Sequence, residues 1–114
     1  MLAIQDTQWL LEQWGTWVNK DGVMLKASSP FGLGSTVGEA QITDDAAMAV
    51  DKVLLALKRS EKNLYRAVYK YYRYKLDDRR LARSLKIPMG TARYWRRNGE
   101  RWVDGALTGV TLAE

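Results

Sequence analysis

Residues 76–99 run LDDRRLARSLKIPMGTARYWRRNG. Asp77 or Asp78 can cap a short helix carrying Leu81, Ala82 and Leu85, because a carboxylate at that place accepts from the unpaired N–H groups of the first turn. Lys86-Ile87-Pro88 then reads as a turn. Pro88 suits the opening of a second helix through Gly90, Thr91, Ala92 and Trp95. The spacing predicts a helix-turn-helix over 77–103. Leu81, Leu85, Ile87, Ala92 and Trp95 supply its apolar contacts, and Ala82 sits where the helices cross and only a small side chain fits. Lys86 stands where such turns often have glycine, a left-handed backbone position that costs a lysine about 1 kcal/mol. A slightly longer, sigma-like turn would avoid that cost.

This register sorts the polar residues. With the five apolar positions inward, Met89, Gly90, Arg93, Tyr94, Arg96 and Arg97 line the outer face of the second helix, the face that enters a major groove in helix-turn-helix proteins. Arg93 and Arg97 lie four apart on one side and can each fork onto a guanine edge. The expected base-contacting set is therefore Met89, Thr91, Arg93, Tyr94 and Arg97. Arg79, Arg80, Arg83, Lys86 and Arg96 are expected on phosphates, where they supply affinity rather than sequence reading.

Charge supports this half of the chain as the nucleic-acid side. Between Lys58 and Arg101 there are fifteen Lys/Arg and four acids, net +11, whereas the rest of the chain is net −6. Eight of those cations fall between Arg79 and Arg101, and all but Lys86 are arginine, whose planar fork suits phosphate and guanine better than a lysine point charge. A basic half joined to an acidic half points to a polyanion on one side.

The remaining segments read as helices around one loop, in a single all-α domain over 1–107. Helix 7–18 has Thr7 as its cap and Leu10, Leu11, Trp14, Trp17 and Val18 on one face, with Gly15 weakening its interior. Trp9 falls off that face. The stretch 19–42 is Gly-rich, with Gly22, Gly32, Gly34 and Gly38 beside Pro30, and reads as a long loop with room for a hairpin at Asp21-Gly22. Helix 43–59 has Thr43 as cap, Asp44 and Asp45 in its first turn, and Ala47, Val50, Leu54 and Leu57 inward. Helix 60–75 turns Leu64, Val68, Tyr71 and Tyr72 inward and Lys62, Arg66, Lys70 and Arg73 outward. Its YRAVYKYYRY run could stack on single-stranded bases, but aromatic stripes at helical spacing are more often core. Gly99 ends or bends the reading helix, Trp102, Val103 and Leu107 pack back on the body, and 108–114 is a frayed tail.

Three blocks together, LEQWGTWV, ITDDAAMAVDKVLLAL and YYRYKLDDRRLARSLKIPMGTARYWRRNGERWVDGAL, resemble the antitermination protein Q family of lambdoid phages, over about Trp9 to Leu107. The resemblance implies a transcription antitermination factor. Such a factor binds double-stranded DNA beside a late promoter and joins host RNA polymerase, with its sigma factor, at a promoter-proximal pause. It then modifies the RNA exit channel so that terminator hairpins cannot form, which places nascent RNA within reach and leaves self-association on DNA open. It further implies Arg93, Tyr94 and Arg97 on bases, Arg79, Arg80 and Arg83 on phosphates, and Trp9, Trp14, Lys20 and Lys26 toward polymerase or the RNA channel. A zinc-dependent version is excluded, since the chain has no cysteine.

Composition narrows the other classes. With neither cysteine nor histidine, disulfide frameworks, Cys/His metal sites and imidazole-based triads are ruled out. No nucleophile–base pair, phosphate-binding glycine loop or metal cluster is legible, so no enzyme and no cofactor is expected. Asp44, Asp45 and Asp51 read as helix-capping and surface acids rather than a metal site. The apolar runs are far short of a bilayer span, and MLAIQDTQWLLEQW lacks the basic start of a signal peptide. With the resemblance, these features set the expectation of a place in the bacterial host cytoplasm. Two other readings stay open at this point. One is a site-specific phage activator or small-terminase-type DNA recogniser without antitermination activity. The other is an adaptor that binds RNA through charge alone, with a steep salt slope and little sequence preference.

Overall fold

The computed structural model describes residues 4–27 and 42–113, with side chains over 4–19 and 42–108. Five helices follow one another: α1 Ile4–Ala27, α2 Asp44–Ser60, α3 Lys62–Arg73, α4 Asp78–Leu85 and α5 Met89–Ala113. Among the described residues there is no strand, as the all-α reading expects.

Two caps form as the sequence predicts. Thr43 takes extended backbone and its hydroxyl accepts from Ala46 N–H at 3.1 Å. Asp77 does the same for α4, accepting from Arg80 N–H at 2.8 Å. Helix ends elsewhere differ from the expected ones. α1 begins at Ile4, so Thr7 lies inside it, fully buried, and donates to Asp104 Oδ1 at 2.7 Å instead of capping. α1 also continues to Ala27 in place of a loop or hairpin from Asn19, because Asn19–Ala27 holds no proline and a single mid-helix glycine is tolerated. The remainder of the expected loop, 28–41, lies outside the described residues. α2 runs through Ser60 and α3 opens at Lys62. α5 continues past Leu107 to Ala113, where a frayed tail was expected, since nothing between Thr108 and Ala113 breaks a helix except the tolerated Gly109.

The interior has two parts. Leu11, Trp14, Val50, Val53, Leu54, Leu57, Val68, Tyr72, Val103 and Leu107 join α1, α2, α3 and α5 into the body. Ala67, Leu81, Ala82, Leu85 and Ala92, with Leu76, Ile87 and Trp95 against them, join α4 to α3 and α5. Tyr71 packs against both. Each apolar residue assigned to the helix-turn-helix thus meets the same small core.

Two glycines set how close α3 lies to its neighbours. A methyl group on Gly15 of α1 would strike the Tyr72 carbonyl, and one on Gly99 of α5 would strike Val68 Cγ2 and approach Leu64 O to 3.1 Å. Gly99 is accordingly a point of helix contact inside an unbroken α5, not an end or a bend.

Candidate nucleic-acid interface

α4 and α5 are separated by Lys86, Ile87 and Pro88. Lys86 adopts the left-handed conformation, φ 59° and ψ 46°, while its N–H reaches the Arg83 carbonyl at 3.2 Å and the Ile87 N–H reaches the Ala82 carbonyl at 3.1 Å. These bonds satisfy carbonyls that the end of α4 would otherwise leave unpaired. The lysine therefore takes the strained backbone that a longer turn would have avoided. Pro88 precedes α5, and its carbonyl accepts the first helical bond, from Ala92 N–H at 3.0 Å.

The start of α5 exposes Met89, Gly90, Arg93, Tyr94 and Arg97, with Tyr94 at 67%. Met89, Arg93 and Arg97 repeat at steps of four and form one stripe. Thr91 is half-buried. Arg79, Arg80 and Arg83 on the adjoining α4 and Lys86 in the turn are exposed as well. The structure thus brings four of the five expected base-contacting residues, and four of the five expected phosphate-contacting residues, onto exposed positions of one two-helix unit.

Arg96 is the exception, at 7% exposure. Ala92, Arg96, Gly99 and Val103 lie on the inward side of α5, four, three and four residues apart, so the helix carries Arg96 inward with them. Its guanidinium binds Asp78 and Glu100 and lies 4.2 Å from the centre of the Tyr71 ring. It is not available to a phosphate. Burial disfavours its charge, but the hydrogen bond and charge of Glu100, with the electrostatic effects of Tyr71 and Asp78, outweigh that and hold its pKa above the ordinary guanidinium value.

Glu100, 1% exposed, is the hub of a polar network that the sequence reading did not single out. It accepts from Arg96 Nη1 at 2.8 Å, Tyr72 Oη at 2.5 Å and Gln8 Nε2 at 3.0 Å. Burial, and then the bond to Glu100, push the Tyr72 hydroxyl well above its usual pKa. α1, α3 and α5 meet at this carboxylate, and Asp78 extends the network to α4. A legible signal existed in the spacing of Arg96 and Glu100, four apart on a helix.

Other basic residues of the charged half also serve the fold. Lys75, at a left-handed position after α3, donates to the Glu12 carbonyl at 2.9 Å and to Thr16 Oγ1 at 3.1 Å, and burial lowers its pKa. Lys70 donates to Ser84 Oγ at 2.8 Å, and Arg73 pairs with Asn19. The residues proposed for polymerase separate as well. Trp9 is 42% exposed on α1, whereas Trp14 is 1% exposed in the body core, stacked edge-on against Tyr69. The resemblance points Trp14 toward polymerase, but its place on the apolar face of helix 7–18 is the reading that matches its burial. The side chains of Lys20 and Lys26 lie outside the described residues.

The model of the family described as phage antitermination protein Q matches residues 4–113. The chain belongs to that family. Membership in the antitermination protein Q family makes it a phage transcription regulator acting in antitermination. The match spans all five helices, so α1 and α2 belong to the family pattern along with the basic α4–α5 unit. No curated protein and no solved structure matches the chain. Among the described residues, no group of three or more His, Cys, Asp or Glu could hold a metal ion, and no helix is long and apolar enough to cross a membrane.

Proposed function

We propose that the α4–turn–α5 unit is a DNA-binding helix-turn-helix, through which this antitermination protein engages a site near a phage late promoter before acting on host RNA polymerase. The observation that carries the reading is the exposed Met89, Arg93, Tyr94 and Arg97 stripe, flanked by Arg79, Arg80, Arg83 and Lys86, in a chain of this family. The start of α5 enters the major groove, where Arg93 and Arg97 read guanine edges, Tyr94 and Met89 offer apolar contact, and Thr91 reaches a base or phosphate. The four flanking cations bind phosphates. From that site the protein loads onto polymerase held with sigma factor at a promoter-proximal pause, and alters the RNA exit channel beside the nascent RNA. Trp9 is the exposed aromatic of α1 available to polymerase. The activity belongs in the bacterial host cytoplasm, and copy number on DNA follows the symmetry of the site.

A single-template transcription assay tests this, with purified host polymerase, a late promoter and a downstream terminator. Read-through that requires promoter-proximal DNA is the expected result; DNA binding without read-through would overturn the antitermination role of this site. Arg97→Ala is expected to cost about 1–3 kcal/mol on the cognate duplex and to relax one base preference, whereas Arg80→Ala weakens all duplexes alike and flattens the salt dependence. Equal behaviour of the two variants would remove the major-groove assignment.

A further inference from the structure

Arg93 and Arg96 share one carboxylate. Asp78, the first residue of α4, accepts from Arg93 Nε through Oδ2 at 3.0 Å, from Arg96 Nε through Oδ1 at 3.1 Å and from Arg96 Nη2 through Oδ2 at 3.3 Å. Arg96 is buried and is held from its other side by Glu100. The carboxylate is therefore anchored from within the fold, and Arg93 is tied to an anchored group rather than to another mobile one. The Arg93 side chain itself is 45% exposed.

An arginine has N–H donors on Nε and on both Nη atoms. With Nε engaged by Asp78, the edge formed by Nη1 and Nη2 is left for a partner. Guanine presents O6 and N7 side by side in the major groove, a match for that end-on pair. We infer that Asp78 is a specificity-determining positioning residue: it fixes Arg93 before DNA arrives and commits it to end-on recognition of one guanine. This rests on the assignment of α5 as the DNA-reading helix. Holding the side chain beforehand removes part of the ordering penalty that a free arginine meets on binding. The same carboxylate repels phosphate, so it opposes sequence-independent binding while favouring the correct site.

Those opposite signs make the test. The probes are a duplex that the wild-type protein selects from a random-sequence pool, its variants with single guanines replaced by 7-deazaguanine, which lacks the N7 acceptor, and one unselected duplex. Arg93→Ala is expected to abolish discrimination at one guanine, from about tenfold to none. Asp78→Asn is expected to reduce discrimination at that guanine to about two- or threefold. It should spare the other guanines, leave binding to the unselected duplex unchanged or tighter, and add nothing once Arg93 is already alanine. Uniform weakening on every duplex, or full discrimination retained by Asp78→Asn, overturns the inference. If Arg93→Ala changes no guanine preference, the assignment of α5 as the reading helix fails instead, and the role of Asp78 with it. Nitrogen-15 relaxation at Arg93 Nε of the free wild-type protein gives a reading independent of any variant's folding. A side chain ordered like the backbone is expected, and one as mobile as Arg79 overturns the proposal.

Discussion

The body core and the α4 core are filled by side chains of different size. The body places Trp14, Leu11, Leu54, Leu57 and Tyr72 between four helices. The α4 core is built on three alanines, Ala67, Ala82 and Ala92, with Leu81 and Leu85 as its larger buried members. Bulky residues span wide gaps between helices, and alanines mark where backbones come close. The bulky positions of the body should therefore suffer most from deletion of atoms, and the α4 unit, like the Gly15 and Gly99 contacts on α3, from their addition.

Trp14→Ala is the largest break. Emptying this buried site should cost about 3–5 kcal/mol, seen as a lower denaturation midpoint in urea. Tyr72→Phe comes next, because it leaves the buried Glu100 one donor short, at about 1.5–3 kcal/mol. It also carries a pH signature. The ordinary tyrosine value is 10.0, and Tyr72 lies above it when folded, so the folded state keeps a proton that the unfolded state releases. That contribution to stability is complete below pH 10.0 and declines as pH rises beyond it. Melting curves taken across the alkaline range should fall less steeply for Tyr72→Phe than for wild type.

Ala82→Leu tests the opposite sensitivity. Four heavy atoms replace one at a close helix crossing, for a loss of about 1–3 kcal/mol. An unchanged melting temperature would show that the crossing has slack and that the two cores do not differ as described. Lys86→Gly is the smallest change and the one gain. A residue without Cβ relieves the left-handed backbone, for a rise of about 1 kcal/mol in chemical denaturation.

The α4 and α5 side of the small core was legible in the sequence because its signals are local, whereas Ala67, which α3 contributes, carried none. Small and apolar residues at fixed offsets, a capping aspartate and a proline all lie within two turns of where they act. Arg96 departs from its expected phosphate role because register outranks chemistry: four residues from Ala92 and seven from Val103, it follows the inward face. Glu100 carries little local signal beyond its charge and its spacing from Arg96, since its partners Gln8 and Tyr72 are remote in the chain. Asp78 was one of two candidates for a cap, and the structure gives that work to Asp77 and leaves Asp78 to the arginines. Trp14 and Trp9 lie on different sides of one helix, and the apolar periodicity separates them where the resemblance did not.

α5 runs without a break from Met89 to Ala113, a rod of about 37 Å at 1.5 Å per residue. Its first turns carry the proposed reading face and its later turns are built into the body. A docked α5 would thus act as a mast. The angle at which it sits in the groove would dictate where Trp9 and the whole body point, so that each copy on a given DNA site presents the same flank in the same direction.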